Sequence, residues 1–186
     1  VASYPLAGLA QKTADPNAAK PAAEESFEPF SGQPGKDVVW VPTPPEGVEA
    51  MLEMAQVKAG DKLVDLGSGD GRIAIAAAKR GAQAMGVEYN PKMVELSQRI
   101  ADREGVKNVR FVQGDLFEGL ARRRFDLILC NPPYVNADSM AALPAEFRAE
   151  PEAALAGGED GMDLVARILA AAPAHLRPDG LLVIEI

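Results

Sequence analysis

Cysteine, histidine and tryptophan each occur once in these 186 residues, as Cys130, His175 and Trp40, and aromatic residues make up only 5%. A single cysteine rules out an internal disulfide and fits a reducing compartment, here the cytoplasm. No apolar run approaches the ~20 residues that span a bilayer, so no membrane partner is expected. Positive charge is also scarce: 19 Lys and Arg face 27 Asp and Glu, for a net charge of -8 and a pI near 4.8. That balance disfavours an extended nucleic-acid surface and suits a basic protein partner. The initiating methionine is missing too, since the chain opens at Val1. That points to processing, truncation or engineering. Leu6-Ala7-Gly8-Leu9-Ala10 has no basic stretch before it, so it makes a poor signal-peptide tail.

What is present is a chain long enough for one domain, with 47% hydrophobic residues to fill its core. Residues 1–40, rich in Ala, Pro, Lys and Glu, read as a mobile arm, and residues 41–186 as the domain. Trp40, at the junction, is assigned to anchoring the arm, and its position before the first helix leaves contact with the ligand open. Thr43-Pro44-Pro45-Glu46 has the grammar of a helix start, with a hydroxyl cap and proline in the first turn. Val48, Met51, Leu52 and Ala55 follow at helical spacing up to Gly60.

The centre of the chain is Leu63-Val64-Asp65-Leu66-Gly67-Ser68-Gly69-Asp70-Gly71, followed by an alanine-rich apolar run. A short strand enters a turn from which side chains are excluded and leaves it as a helix, which is the pattern of a nucleotide-type site. The dinucleotide fingerprint would place its third glycine at position 72, which is Arg72. Here it falls at Gly71, and Asp65 lies two residues before the first glycine. A carboxylate there repels a pyrophosphate and attracts a cation. The ligand expected is therefore one with an ammonium group, such as S-adenosylmethionine.

Strand two, Gln83 to Tyr89, ends at Glu88, about twenty residues beyond the loop, where doubly wound folds place the carboxylate that accepts the ribose hydroxyls. Tyr89 is grouped with it. Asn90-Pro91 caps a helix carrying Met93, Leu96, Ser97 and Ile100 on one face up to Gly105. Strand three, Asn108 to Gln113, leads to Asp115 and Leu116, which put a third acid on the same carboxyl edge.

Strand four, Phe125 to Cys130, is apolar apart from Asp126, as a central parallel strand should be. It runs into Asn131-Pro132-Pro133-Tyr134. The two prolines remove backbone donors and leave carbonyls as outward acceptors, Asn131 adds a side-chain acceptor and Tyr134 an aromatic face. Fixed acceptors of this kind suit a planar nitrogen nucleophile. They hold its N–H groups, orient its lone pair and favour the positive charge it gains on attack. Cys130 is read as a small buried hydrophobe. His175 lies in the last turn of a helix, where the dipole favours a cation.

Asp-x-Gly-x-Gly-x-Gly resembles motif I of the Rossmann-like, class I methyltransferases. Residues 38–119, with Val41-Pro42-Thr43-Pro44 and Leu66 to Arg72, are similar to small bacterial methyltransferases related to mitochondrial protein-lysine methyltransferases. Residues 125–186, with Asn131 to Val135, Leu143 to Pro151 and Gly161 to Leu164, resemble the glutamine N5-methyltransferases, most closely the ribosomal-protein branch. The chain thus reads as a composite that changes character near Gly119 to Arg124. The resemblance implies an α/β, doubly wound, mostly parallel sheet of order 3-2-1-4-5, with S-adenosylmethionine held by Asp65, Gly67, Ser68, Gly69, Asp70, Gly71, Glu88, Tyr89, Asp115, Leu116 and Asn131. It implies that Asp115 meets the adenine amino group and the neighbouring amide a ring nitrogen. Asn131 and the Pro132 carbonyl would hold a glutamine amide against Tyr134, with Pro133, Arg148 and Glu150 at the substrate pocket. No metal is expected.

Two readings stay open beside a ribosomal-protein glutamine. One is an exocyclic base nitrogen, which needs a flipped base and a basic track, and the concentrated basic run is Arg122-Arg123-Arg124. The other is a cofactor-binding shell without activity, because the upstream recognition domain and the strands beyond strand five are not in the chain. If the chain ends at strand five, Leu181 to Ile186 form an exposed apolar edge, a self-association site.

Overall fold

The computed structural model describes residues 27–31, 33, 40–132 and 162–186. Among these described residues, five parallel strands form one sheet of order β3-β2-β1-β4-β5, as expected. The elements are α1 (Pro45–Met54), β1 (Lys62–Leu66), α2 (Arg72–Lys79), β2 (Gln83–Glu88), α3 (Pro91–Arg103), β3 (Val109–Gln113), β4 (Phe125–Cys130), α4 (Asp163–His175) and β5 (Leu176–Ile184).

Alternate residues of the strands feed two cores. Leu63, Ala84, Phe111, Leu127 and Leu129 pack under α1, α2 and α3. Val64, Leu66, Val87 and Ile128 pack on the opposite face against Leu164, Ile168 and Ala172 of α4. Burial on both faces explains why Leu63-Val64 in β1 and Leu127 to Cys130 in β4 run apolar without alternating. The strand order also fixes the site: β1 lies between β2 and β4, with Asp65 opposite Gly86 and Leu66 opposite both Val87 and Cys130. The residues that follow, Gly67 and Asn131, therefore leave neighbouring strand ends together.

Three local expectations need correction. The hydroxyl of Thr43 does not cap α1, whose N-cap is Pro44 with no side-chain bond; a long-range pair, described below, takes it instead. Helix α1 stops at Met54, and Gln56 turns left-handed at φ 51°, well before Gly60. Strand β5 starts at Leu176, opposite Phe125, not at Leu181. Because Leu181 faces Leu127, the turn residues Arg177 to Gly180 bulge out between the two pairings. His175 stacks on Phe117, with ring centroids 4.8 Å apart, and its Nδ1 lies 3.2 Å from the Arg123 carbonyl oxygen.

Most of the arm, residues 1–26, lies outside the described residues. Gln33, within its described part, is buried, accepts the Trp40 amide at 2.8 Å and reaches the Met93 sulfur at 3.7 Å.

Candidate active site

The glycine loop is tied down from behind. The amides of Gly67 and Ser68 both donate to the Val87 carbonyl, at 2.8 and 2.9 Å, and the Gly71 amide donates to that of Ser68 at 2.8 Å. Gly69 sits at φ 54°, its amide donating to Glu88 Oε2 at 2.9 Å and its carbonyl accepting from Ser97 at 2.9 Å. A Cβ on Gly69 would come within 2.6 Å of Trp40 Nε1, while one on Gly67 would meet nothing within 4 Å. The loop is thus covered by Trp40 at one glycine and open at another. The Arg72 guanidinium lies 6.0 Å from the Trp40 ring centre, within cation–π range.

Asp65 lies beneath this loop, 1% exposed, and neither carboxylate oxygen has a hydrogen-bond partner; Ser68 Oγ is orphaned in the same way. Burial pushes the Asp65 carboxyl well above its ordinary range, and the charges of Glu88 and Asp70 push it further. The Ala74 amide offsets a small part of that rise without closing a hydrogen bond. Glu88 accepts the Gly69 and Asn90 amides, at 2.9 and 2.8 Å. Burial still raises its carboxyl, and those amides work against the rise. Each Glu88 oxygen keeps a second lone pair. Tyr89 is half exposed and Asp115 half-buried, and Leu116 takes a left-handed conformation at φ 50°.

Asn131 follows β4 and is half-buried; Pro132 behind it is buried. Asn131 Nδ2 donates to Thr43 Oγ1 at 2.7 Å, and the Thr43 hydroxyl donates to Glu185 Oε2 at 3.0 Å. A carboxylate only accepts, so Thr43 must spend its single proton on Glu185. Its oxygen can then only accept from Asn131, which forces the amide nitrogen toward Thr43 and leaves Asn131 Oδ1 turned away as an acceptor. The Thr43 carbonyl accepts from Arg72 Nη1 at 2.8 Å, and Arg72 pairs with Asp70 of the loop at 2.6 Å. One residue thereby joins the loop, the β4 turn and the end of β5.

The strand ends thus bring Asp65, Gly67, Ser68, Gly69, Asp70, Gly71, Glu88 and Asn131 to one edge. Pro133, Tyr134, Arg148 and Glu150 lie outside the described residues. Sequence reasoning missed Thr43, Arg72 and Glu185, and favoured Trp40 as an anchor of the arm while leaving a place at the ligand open. Cys130 is buried and donates to the Leu66 carbonyl at 3.2 Å. Burial and the Asp65 charge hold its thiol well above the usual range, so it is no nucleophile.

The ANTKMT methyltransferase domain matches residues 65–155. A ribosomal protein uL3 glutamine methyltransferase of Bordetella pertussis is 48% identical over 129 residues, 68% of this chain and 43% of that protein. A release factor glutamine methyltransferase of Geobacter sulfurreducens is 42% identical over 160 residues, 82% of this chain and 56% of its own length. The chain therefore spans about half the length of these curated relatives. Stretches that long necessarily cross Gly119 to Arg124, so the likeness runs through that junction. An RNA methyltransferase of Salinibacter ruber, solved with S-adenosyl-L-homocysteine, is 31% identical with a TM-score of 0.57, covering 77% of this chain and 76% of that one. Motif, sheet order and relatives agree: this chain belongs to the Rossmann-like S-adenosylmethionine-dependent methyltransferases.

Proposed function

We propose that the chain methylates a side-chain amide nitrogen with S-adenosylmethionine, the favoured substrate being a glutamine of a ribosomal protein. The observation that carries this reading is the fixed orientation of the Asn131 amide beside the glycine loop. The residues present fit the cofactor. Two orphaned carboxylate oxygens and an orphaned hydroxyl lie under a loop that is open at Gly67. Asp65 supplies negative charge toward the ammonium end, Glu88 keeps lone pairs for ribose hydroxyls, and Asp115 with the Leu116 amide serves the base. When bound, the cofactor supplies an electrophilic methyl on a sulfonium.

The chain's own part is positioning. Asn131 Oδ1 and the Pro132 carbonyl accept the two N–H groups of the substrate amide, turning its nitrogen lone pair out of conjugation and toward the methyl. Held in this way, the amide nitrogen would take the methyl that the cofactor supplies and give up its extra proton to water. Acceptors aimed at N–H groups whose positive charge grows during attack stabilise the transition state more than the ground state. Tyr134, Pro133, Arg148 and Glu150 complete the substrate pocket in this reading. An acidic chain and a basic ribosomal protein also attract each other.

The similarity to a named RNA methyltransferase favours one second reading, an exocyclic base amine, which presents the same planar N–H group to the same turn. Incubating the chain and labelled cofactor with ribosomal proteins and ribosomal RNA, followed by mass spectrometry, separates the two. Label on a glutamine of a ribosomal protein is expected; label on RNA alone selects the second reading. Cofactor binding without any transfer supports an inactive cofactor-binding shell.

A further inference from the structure

The run Arg122-Arg123-Arg124 takes no part in the site above, but the fold gives it company. Lys62 opens β1, Arg110 is the second residue of β3 and Arg177 the second of β5. With Lys107 ahead of β3, these side chains line an open groove of about 740 Å³ across the amino ends of the strands. Seven cations line it, five of them arginine, and among the described residues its lining contains no Asp or Glu. Two of the seven are paired with flanking acids, Arg177 with Asp126 at 3.0 Å and Lys107 with Asp102 at 3.7 Å, and Asp126 also accepts the Lys62 amide at 2.8 Å.

The sheet is therefore polarised. Its carboxyl edge carries Asp65, Glu88, Asp115 and Glu185, and its amino edge carries the basic row. Screening limits exposed charges to a reach of about 8 Å in physiological salt, so the net charge of -8 does not cancel a local cluster of cations. The row crosses the sheet from β3 to β5, four strand spacings or about 19 Å. A single phosphate would fill one corner of it. Arginine forks match phosphate oxygens in pairs, and the exposed Gln83 amide within the row can both donate to and accept from a ribose 2′-hydroxyl.

We propose that this groove binds the backbone of single-stranded RNA. The site is independent of the methyl-transfer reading and lies a full strand length from the glycine loop, so both ends can be occupied together. The test is fluorescence anisotropy with a labelled 20-nucleotide oligouridylate between 50 and 200 mM salt. Binding should weaken with a log–log slope of about -3, as for roughly four phosphate contacts at -0.7 each. At 50 mM salt the double variant R122E/R124E should bind at least tenfold more weakly, and R110E should weaken it in the same direction. K92E/R99E makes the same charge change on α3, away from the groove, and should shift the affinity less than twofold. The proposal is overturned by no binding at 50 mM salt, or by equal losses in the two double variants. Oligothymidylate binding as tightly as oligouridylate, or polyglutamate of matched charge competing equally well, overturns the assignment to RNA.

Discussion

Thr43 has one proton to give and two polar neighbours, and that imbalance decides which way Asn131 faces. Valine keeps its shape but removes the hydroxyl, so Thr43→Val frees the amide to rotate, whereas Thr43→Ser preserves the relay. Thr43→Val should lower kcat for methyl transfer by about tenfold or more (~1.4 kcal/mol per decade), with cofactor affinity and thermal midpoint near wild type, and Thr43→Ser should restore the rate. In side-chain NMR the Asn131 amide should show one proton slowed in exchange, a protection lost in Thr43→Val. Equal exchange of both protons in the wild type counts against the relay, and an unimpaired Asn131→Ala counts against the role of the turn itself. The sequence made Asn131 legible because its two prolines are adjacent to it; Thr43 was illegible because its partners lie 88 and 142 positions away. Asp65 was legible as an acid, but its enclosure was not, and enclosure sets its pH behaviour. Its folded pKa is raised by burial, so between about pH 4 and that raised value the unfolded chain ionises while the folded one does not. Stability from this group is lost as pH climbs through that window. Asp65→Asn, neutral and isosteric, should therefore raise the melting temperature at pH 8 relative to wild type. A bound ammonium favours ionised Asp65, so cofactor binding should release protons, read by calorimetry in buffers of different ionisation enthalpy. Asp65→Asn should abolish that part of the release.

Strand β2 and helix α2 approach each other through glycine, and the cost of filling that space can be stated. A Cβ on Gly86 would fall 2.5 Å from Phe111 Cδ1 and 2.5 Å from Ser68 Oγ, and one on Gly71 would fall 2.6 Å from the same ring. Phe111 is buried at 9% exposure, so the ring has little room to retreat. Gly86→Ala should destabilise the fold by about 1–3 kcal/mol through overpacking, measured as a lower urea midpoint. In a Phe111→Leu background the same change should cost less, since the two sites share one volume. Elements whose burial is two-sided, β1 and β4, were legible in the sequence, because apolar stretches interrupted only by Asp65 and Asp126 leave little freedom of register. At β5 the reading failed for a tertiary reason. Arg177-Pro178-Asp179-Gly180 is turn chemistry, and Asp179 does turn left-handed at φ 64°, yet Leu176 before it is already paired with Phe125. The start of α1 was misread for a similar reason: Thr-Pro-Pro-Glu supplies a cap locally, but Glu185 and Asn131 compete for the hydroxyl.

Across the whole molecule, the ends of four neighbouring strands, β3-β2-β1-β4, converge on the crevice proposed for the cofactor. A ligand held there binds only when all four are in register, so its binding free energy adds to the stability of the folded state. At a hundred times its Kd, S-adenosyl-L-homocysteine should contribute about 2.7 kcal/mol. For a chain of this size each kcal/mol moves the midpoint by about 2–4 °C, which gives an expected rise of about 5–11 °C. Methylthioadenosine keeps the base and ribose that Glu88 and Asp115 are proposed to hold, but lacks the ammonium end. At the same multiple of their own Kd both compounds stabilise equally, so the comparison belongs at equal concentration, where the compound lacking the ammonium should give the smaller shift. Asp65→Asn removes the negative charge beneath the loop without changing its shape, so it should bring the two shifts together by lowering that of S-adenosyl-L-homocysteine. If the gap between the compounds persists undiminished in Asp65→Asn, the buried carboxylate is not what senses the cation, and its unpaired oxygens need another occupant.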